Sequence, residues 1–420
     1  MEAITQSLMD SFTALLDSFW FELTFLLVVA LFAGFLFARF GQPKVIGYIL
    51  IGVIIGPSLL GIISASDDGT GPGDGTSDVS PLPETIMMLA ELGSLVLLFM
   101  VGLECDLREI YTRRSVSIAL GGVVVPWVGG FGIALWAGYD IEAVFIGATL
   151  VATSVAVTAS VISELGLIGG HISNAIVGAA VVDDILGMIV LSISKGMSGG
   201  VGVDALGLVA LVIGAVVFVV VGAWIGTRFL VRLVFNVQIS GYKRKLPLSG
   251  FTLALAIAFL YSFVGELIGI SAIVGAFVAG TVFAGSALRD GIRKGTQYLE
   301  ALFVPLFFVS LGVVVDVGAM LDTIVLGVSL TAVAIATKVV GCGLPAWLGG
   351  MSKWDSIAVG VGMTPRLEVA LVIAYYGLST EIIGPELYSV VVFMGLVTAI
   401  ISAPILKDVL RRGGYKLEGV

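Results

Sequence analysis

Two adjacent carboxylates and one lysine interrupt stretches of sequence that are otherwise apolar. Asp183 and Asp184 lie about twelve residues into the segment 171–195, and Lys338 stands alone in V-A-I-A-T-K-V-V-G. If these segments cross a membrane, all three charges lie near its centre, where each costs at least a few kcal/mol. Such residues are retained only for a reason, and we expect them to carry the function.

The chemistry open to this set is the binding of either a proton or a cation at one carboxylate. Consecutive residues of a helix point about 100° apart, so Asp183 and Asp184 cannot face the same partner. We expect one to meet Lys338 while the other lines an aqueous cavity, and close carboxylates also couple their proton binding. The alternative is a buried salt bridge that only fixes helix packing, which leaves the second aspartate without a role.

Two further segments have compositions that favour a break in a membrane helix. One contains A-T-S-V-A-V-T-A (152–159), whose β-branched residues are less favoured in helices. The other is G-V-G-M-T-P-R-L-E (360–368), where Pro365 removes a donor and the glycines loosen the preceding turn. Unwound backbone is tolerated at membrane depth where it lines a polar site, and its carbonyls can coordinate a cation.

Polar and charged side chains accompany both predicted breaks. Thr153, Ser154 and Thr158 are candidate ligands of a transported sodium ion, together with the two aspartates. For Thr153 and Thr158 the alternative is a hydroxyl bonded back to its own helix. Arg366 and Glu368 either belong to the ion site or neutralise the ends of the half-helices.

The composition makes lipid the solvent for most of the chain. Hydrophobic residues account for 58% and charged residues for 12%, about half the charged share of a soluble chain. With one histidine and two cysteines, a zinc or iron–sulfur site is not expected, and Cys105 and Cys342 are expected to pack in the core. We expect no cofactor, no nucleic-acid partner and no soluble domain, and the spacing of nucleophiles and bases does not predict an enzyme.

Thirteen apolar stretches are long enough to cross a bilayer as helices. They lie at about 20–38, 44–63, 85–106, 116–137, 141–163, 171–195, 204–234, 247–264, 267–286, 297–318, 321–348, 354–378 and 385–408. Basic residues gather in alternate connections, with Lys195 as the exception. Since cytoplasmic loops carry an excess of Lys and Arg, we predict an all-α, multi-pass cell-membrane protein with its N-terminus outside and its C-terminus in the cytoplasm.

The chain also repeats itself weakly. F-M-V-G-L-E-C-D (99–106) resembles F-V-S-L-G-V-V-V-D (308–316), and Gly52 with Gly56 has a looser counterpart in Gly275 with Gly280. These matches relate the third span to the tenth and the second to the ninth. An offset of seven spans, an odd number, places the two copies in opposite orientation. Inverted repeats are typical of transporters whose site lies near the midplane.

Other polar residues have milder interpretations. Glu104, Asp106 and Arg108 are expected to form an interfacial cap at the end of the third span. His171 is expected to be a solvated surface histidine, and a role in pH sensing is the alternative.

Together these motifs resemble those of the monovalent cation:proton antiporters, and especially the thirteen-span bacterial and archaeal electrogenic sodium/proton antiporters. The resemblance covers nearly the whole chain and rests on Asp183-Asp184, G-L-E-C-D-L (102–107), T-S-V-A-V-T-A (153–159), V-P-L-F-F-V-S-L-G (304–312), Lys338 and G-M-T-P-R-L-E (362–368). It implies inverted repeats, two broken helices that cross beside Asp184, and a core domain that moves as an elevator.

The resemblance also implies a division of the chain and of roles. The core would comprise roughly residues 116–195 and 321–408, and the dimerisation domain roughly 20–106 and 204–318, with the first span at the interface of a homodimer.

By position, Asp184 matches the carboxylate that binds cation and proton. Asp183 matches the preceding acid of electrogenic members, and Lys338 matches the basic residue that pairs with that acid. Arg366 and Glu368 match charged positions at the second break.

The expected function is therefore secondary active, electrogenic exchange of Na⁺ or Li⁺ for H⁺ in surrounding membrane lipid. Two alternatives stay open. Oxygen ligands do not reveal the size of a cavity, so potassium/proton exchange on the same scaffold is one. The other is sodium-coupled symport of an organic solute. Lys338 argues against symport, because a cation beside a sodium site is useful chiefly when protons compete.

Overall fold

The computed structural model describes residues 18–40, 42–62, 84–104, 112–198, 205–270, 272–313, 315, 317–318, 323–379 and 382–415. Helices dominate these residues, and no strand occurs among them. In chain order they are α1 (Phe19–Arg39), α2 (Lys44–Ile55), α3 (Glu84–Glu104), α4 (Arg113–Trp136), α5 (Glu142–Val151), α6 (Val155–Glu164), α7 (His171–Ser198), α8 (Ala205–Ile225), α9 (Val231–Lys243), α10 (Ser249–Leu267), α11 (Ala272–Ala284), α12 (Arg289–Val313), α13 (Ile324–Leu348), α14 (Lys353–Gly362), α15 (Glu368–Ser379) and α16 (Pro385–Arg412). A π-helical turn, Gly226–Leu230, joins α8 to α9.

The predicted all-α membrane architecture is confirmed. Among the described residues, ten helical segments are long and apolar enough to cross a membrane by length and composition, with α5 and α6 counted as one. Helices α2 and α11 are apolar but shorter. Each of the thirteen predicted stretches overlaps at least one of these helices, but the number of crossings itself stays a prediction.

Both predicted breaks are present. Residues 152–154 leave the helical path between α5 and α6, where Ala152 has φ −56° and ψ 142°. Residues 363–367, which include Pro365, separate α14 from α15. Pro126 and Pro345, in contrast, lie inside helices that run through unbroken. Proline alone therefore does not break these helices.

The chain divides into two compact units. The first comprises residues 1–94 and 299–318, and the second comprises residues 95–298 and 319–420. Leu26, Ile86 and Val309 belong to the buried core of the first unit. In the second unit, residues of α5, α13, α15 and α16 pack together in a buried core.

Each unit contains a close crossing of helices at a pair of glycines that belong to the predicted repeats. In the first unit, a Cβ atom at Gly52 of α2 would collide with the backbone of α12 beside Gly312. In the second unit, a Cβ at Gly102 of α3 would collide with the backbone of α11 beside Gly280. Small residues allow such approaches inside a membrane. The second span meets the tenth and the ninth meets the third, so exchanging the two predicted repeats converts one crossing into the other.

Candidate ion-binding site

A fully buried ion pair lies in the second unit. Nζ of Lys338, on α13, lies 3.1 Å from both Oδ1 and Oδ2 of Asp183 on α7, and both side chains are 0% exposed. The same ammonium donates to the carbonyl oxygens of Gly122 at 2.8 Å and Val151 at 2.7 Å. Its donors are thus directed at one carboxylate and two carbonyls, the surroundings that a buried charge requires. The predicted pairing of Lys338 with the aspartate pair is confirmed.

Glycines let the lysine reach these acceptors. Helices α4 and α13 touch at Gly121 and Gly341, where a Cβ on either residue would collide with the carbonyl oxygen of the other. The next residue, Gly122, leaves room for the Sγ of Cys342, which would lie 2.5 Å from a Cβ placed there. Cys342 is buried, as predicted. The close approach brings the Gly122 carbonyl within reach of Lys338.

Two cations satisfy the end of the first half-helix. The last carbonyls of a helix have no partner within it and carry its partial negative charge. At the end of α5, Nζ of Lys338 donates to the carbonyl of Val151, and Nε of Arg366 donates to the carbonyl of Leu150 at 2.9 Å. Arg366 comes from the other break, so its guanidinium bridges the two broken helices.

Two hydroxyls bond in the same way to the carbonyls at the end of α14, the half-helix that precedes the second break. Thr158 Oγ1, on α6, donates to the carbonyl oxygen of Gly362 at 2.5 Å, at the end of α14. Thr153 Oγ1 donates to the carbonyl oxygen of Met363 at 3.3 Å. The alternative considered above, a bond from each hydroxyl back to its own helix, is wrong for both, because these bonds cross to the other break.

Ser154 holds the first break in shape. Its side-chain oxygen accepts from the backbone N–H of Val157 at 3.4 Å and so caps the start of α6. Its own backbone N–H donates to the carbonyl of Pro365 at 2.7 Å. The two unwound stretches are therefore joined by a direct main-chain hydrogen bond, which matches the predicted crossing of two broken helices.

Arg366 is fully buried, with 0% of its surface exposed. Besides its bond to α5, its Nη1 donates to the carbonyl of Thr364 at 2.8 Å, and its backbone N–H donates to Thr398 Oγ1 at 3.2 Å. These contacts agree with the interpretation in which Arg366 neutralises a half-helix end. Glu368 begins α15, but its side chain lies outside the described residues.

The aspartate helix lies against both breaks. Helix α7 packs against all four half-helices, α5, α6, α14 and α15. Asp183 is 1% exposed and Asp184 is 8% exposed, and besides Lys338 the Asp183 carboxylate interacts with Thr153 and Arg366. A carboxylate pair, a lysine, hydroxyls and unwound backbone thus occur together, the combination expected of a midplane cation site.

A comparison with known protein families gives a match that covers most of the chain. The family described as "Sodium/hydrogen exchanger, transmembrane" matches residues 27–412. The chain belongs to the sodium/hydrogen exchanger family. The resemblance to the monovalent cation:proton antiporters is thereby confirmed, and so is the expectation of a multi-pass membrane protein of a transporter family.

Two curated relatives of this exchanger-family chain are similar along almost their whole length. The chain is 34% identical to the Na(+)/H(+)-K(+) antiporter GerN of Bacillus cereus, over 93% of this chain and 95% of the relative. It is 32% identical to the high-affinity Na(+)/H(+) antiporter NhaS3 of Synechocystis, over 90% and 87%.

A solved structure shares the fold. The sodium proton antiporter MjNhaP1 from Methanocaldococcus jannaschii at pH 8 superimposes with a TM-score of 0.66, covering 93% of this chain and 96% of that one. At 18% identity this likeness supports the architecture alone.

Several polar residues of the exchanger lie away from this site. Glu104, at the end of α3, forms ion pairs with Arg289 and Arg293 of α12, so it does belong to a cap-like cluster at helix ends. Asp106, Arg108 and Cys105 lie outside the described residues. His171 Nε2, at the start of α7, lies 3.3 Å from Nη1 of Arg114.

Sequence reasoning missed three residues of the site, Gly122, Val151 and Thr398. The carbonyls of Gly122 and Val151 hold the lysine, but a carbonyl leaves no trace in residue type. Thr398 is fully buried in α16 and supports Arg366; its position as a polar residue within an apolar span was the available signal. Outside the site, sequence reasoning did not single out Glu22, which is buried in α1 of the first unit.

Proposed function

We propose that this exchanger-family protein is an antiporter that exchanges sodium for protons at Asp184 and Asp183. The observation that carries the proposal is the buried Lys338–Asp183 pair, 0% exposed on both sides, one residue from a second buried carboxylate. A charge pair at this depth is expensive and marks ion pathways and proton relays in membrane proteins.

The contacts suggest how a cation and protons would compete. Asp183 accepts from Lys338 at 3.1 Å, and a sodium ion bound to Asp184 with oxygens near Thr153 and Thr158 would add a second positive charge beside the lysine. Like charges at short range oppose each other. Asp183 would then release Lys338, and the lysine would lose its proton.

This cycle would be electrogenic, with two protons entering for each sodium ion that leaves. One net charge would enter per cycle, and an inside-negative potential of 100 mV would contribute about 2.3 kcal/mol toward sodium extrusion. The proposed orientation places the N-terminus outside and the C-terminus in the cytoplasm.

The moving part would be a core of residues 116–195 and 321–408. The polar contacts described above join residues within these ranges, from Gly122 to Thr398. They could therefore move together as an elevator, past a dimerisation domain of residues 20–106 and 204–318. Crosslinking in native membranes should give a homodimer through the first span, and recovery of monomer alone would contradict that part.

The deciding experiment uses purified protein in liposomes with a pH dye inside and the membrane potential set by valinomycin. Sodium or lithium should move protons, and the rate should follow the imposed potential. Asp184→Asn should abolish exchange, while Asp183→Asn should leave exchange that no longer responds to potential. Asp408→Asn is the matched control, since Asp408 is a surface residue, 56% exposed. Normal transport by Asp184→Asn would refute the site assignment.

Potassium is the second candidate cation. GerN, 34% identical to this chain, is a Na(+)/H(+)-K(+) antiporter by name, so potassium/proton exchange on the same scaffold is the alternative. Ion competition against a fixed pH gradient separates the two. Transport that needs an organic solute and no proton gradient would instead support sodium-coupled symport and overturn antiport.

A further inference from the structure

One helical segment is too long to end inside the membrane. The apolar segment Ile213–Lys243 runs for 31 residues, about 46 Å at 1.5 Å per residue, whereas the hydrocarbon core of a bilayer is about 30 Å thick. The π-helical turn Gly226–Leu230 interrupts the segment, and α9 follows it. Helix α8 alone has 21 residues, enough to span the hydrocarbon core, and this places α9 and the turn after it at, or beyond, the edge of the hydrocarbon.

This end of the segment carries unbalanced positive charge. Five basic residues lie between positions 226 and 250, and no acidic residue occurs between 205 and 265. All five are exposed: Arg228, Arg232, Lys243, Arg244 and Lys245. Within the part of the chain that the structure describes, none of them forms an ion pair with a carboxylate, whereas Arg289 and Arg412 do.

Three of these cations sit in a turn with a defined shape. The Gln238 side chain donates from Nε2 to the carbonyl of Pro247 at 2.8 Å and accepts at Oε1 from the backbone N–H of Gly250 at 2.7 Å. Ser249 Oγ donates to the carbonyl of Val237 at 3.2 Å. These bonds tie α9 to the start of α10, so the turn Lys243–Lys245 is held at the tip of a closed helical hairpin.

Large apolar side chains surround the cations and are equally uncovered. Tyr242, Leu246 and Leu248 are 66%, 60% and 64% exposed. Water is a poor solvent for such a group, while the boundary between head groups and acyl chains suits it, because apolar side chains enter the acyl region and cations stay among the head groups. A free inorganic anion would leave the apolar residues uncovered.

We propose that the turn Lys243–Lys245, with Tyr242, Leu246 and Leu248, binds the phosphate head group of an anionic membrane lipid. Three cations in a preformed turn attract one negative head group without rearrangement, and the apolar residues contact its acyl chains. None of these residues takes part in the contacts of the ion-exchange site described above.

The test is a titration of the full-length protein in detergent micelles with phosphatidylglycerol and with phosphatidylcholine, followed by native mass spectrometry. The intact protein should bind phosphatidylglycerol more tightly than phosphatidylcholine. Each basic residue near a membrane surface contributes about fivefold in affinity. The variant K243Q/R244Q/K245Q should therefore lose at least about tenfold in phosphatidylglycerol affinity and keep its affinity for phosphatidylcholine.

Two matched variants distinguish a specific site at this turn from nonspecific attraction to positive charge anywhere on the protein. K243R/R244K/K245R keeps the three charges and should bind phosphatidylglycerol as the parent protein does. K353Q/R411Q/R412Q removes three basic residues elsewhere and should also bind normally. The proposal is overturned if K243Q/R244Q/K245Q binds phosphatidylglycerol as the parent does, or if K353Q/R411Q/R412Q loses as much affinity. It is also overturned if inorganic phosphate displaces bound phosphatidylglycerol as readily as an excess of the lipid itself does.

Discussion

The second unit contains two clusters in which acidic and basic side chains pair, and these clusters differ in what surrounds them. At the ion site, the side chains of Asp183 and Lys338 are both 0% exposed, and two backbone carbonyls complete the shell of the lysine. At the end of α3, Glu104 is 14% exposed and meets Arg289 and Arg293, which are 37% and 47% exposed. The chemistry of the groups is nearly the same in both clusters.

The difference in burial determines how much each ion pair contributes to stability. Removing one partner of a buried pair leaves an uncompensated charge, which costs about 3–5 kcal/mol. Exposed pairs contribute about 0–1 kcal/mol and are screened by salt. A group that can change its charge deep inside the protein therefore shifts the balance between conformations, while the same change at the α3 end shifts little.

The largest effect is expected at the lysine itself. Lys338→Met should lower the free energy of unfolding by about 3–5 kcal/mol because Asp183 stays buried without its partner. Thermal unfolding in detergent measures the loss. The double variant Asp183→Asn/Lys338→Met removes the stranded charge and should recover most of the stability. A single variant as stable as the parent protein would break the comparison.

A smaller loss is expected where α4 and α13 touch. Gly121→Ala should destabilise by about 1–3 kcal/mol, because the added Cβ collides with the backbone of Gly341 and the helices must separate. It should also impair ion exchange by moving Lys338. Gly132→Ala is the control on the same helix, since a Cβ there meets nothing within 4 Å. Equal unfolding midpoints for the two variants would show that the close contact between α4 and α13 contributes nothing to stability.

The crossing of the breaks provides a third test. Thr158→Val should cost about 1–3 kcal/mol, because the buried carbonyl of Gly362 at a helix end loses its partner. Thr331→Val is the control: Thr331 is also buried, but its hydroxyl bonds to Gly327 within its own helix, so we expect little change. If both valine variants unfold alike, the bond across the breaks is not special.

The smallest effect is expected at the peripheral cluster. Glu104→Gln should change stability by no more than about 1 kcal/mol for each pair it breaks, and the difference should shrink as salt is added. Thermal unfolding at low and high ionic strength gives both values, and the loss in Lys338→Met should depend less on salt. A large, salt-independent loss in Glu104→Gln would erase the contrast between the clusters.

The helix breaks show how far local sequence goes. Pro126, Pro305, Pro345 and Pro404 all lie inside continuous helices, whereas Pro365 lies in a break. What distinguishes Pro365 is its company of glycine, threonine and charged residues, which can exchange helical hydrogen bonds for others. Composition around a proline was therefore a better predictor than the proline.

The partners of the buried charges show where local sequence stops. The pairing of Lys338 with an aspartate followed from the high energy of an isolated charge in a membrane. Its bonds to Gly122 and Val151, and the bond from Thr158 to Gly362, join residues that are far apart in sequence. Nothing in the local residue types specifies them.

Sequence alone determined that this is an all-α membrane protein with charges at its centre and two interrupted helices. Long apolar segments in lipid must satisfy their own backbone hydrogen bonds as helices, and charges or breaks within them are costly enough to mark a site. Only the tertiary structure decided which carbonyls, hydroxyls and cations satisfy the buried half-helix ends of α5, α6 and α14. Those contacts depend on how closely the helices approach, at Gly121 with Gly341 and between Ser154 and Pro365, and distance between helices is a property of packing that no single segment contains.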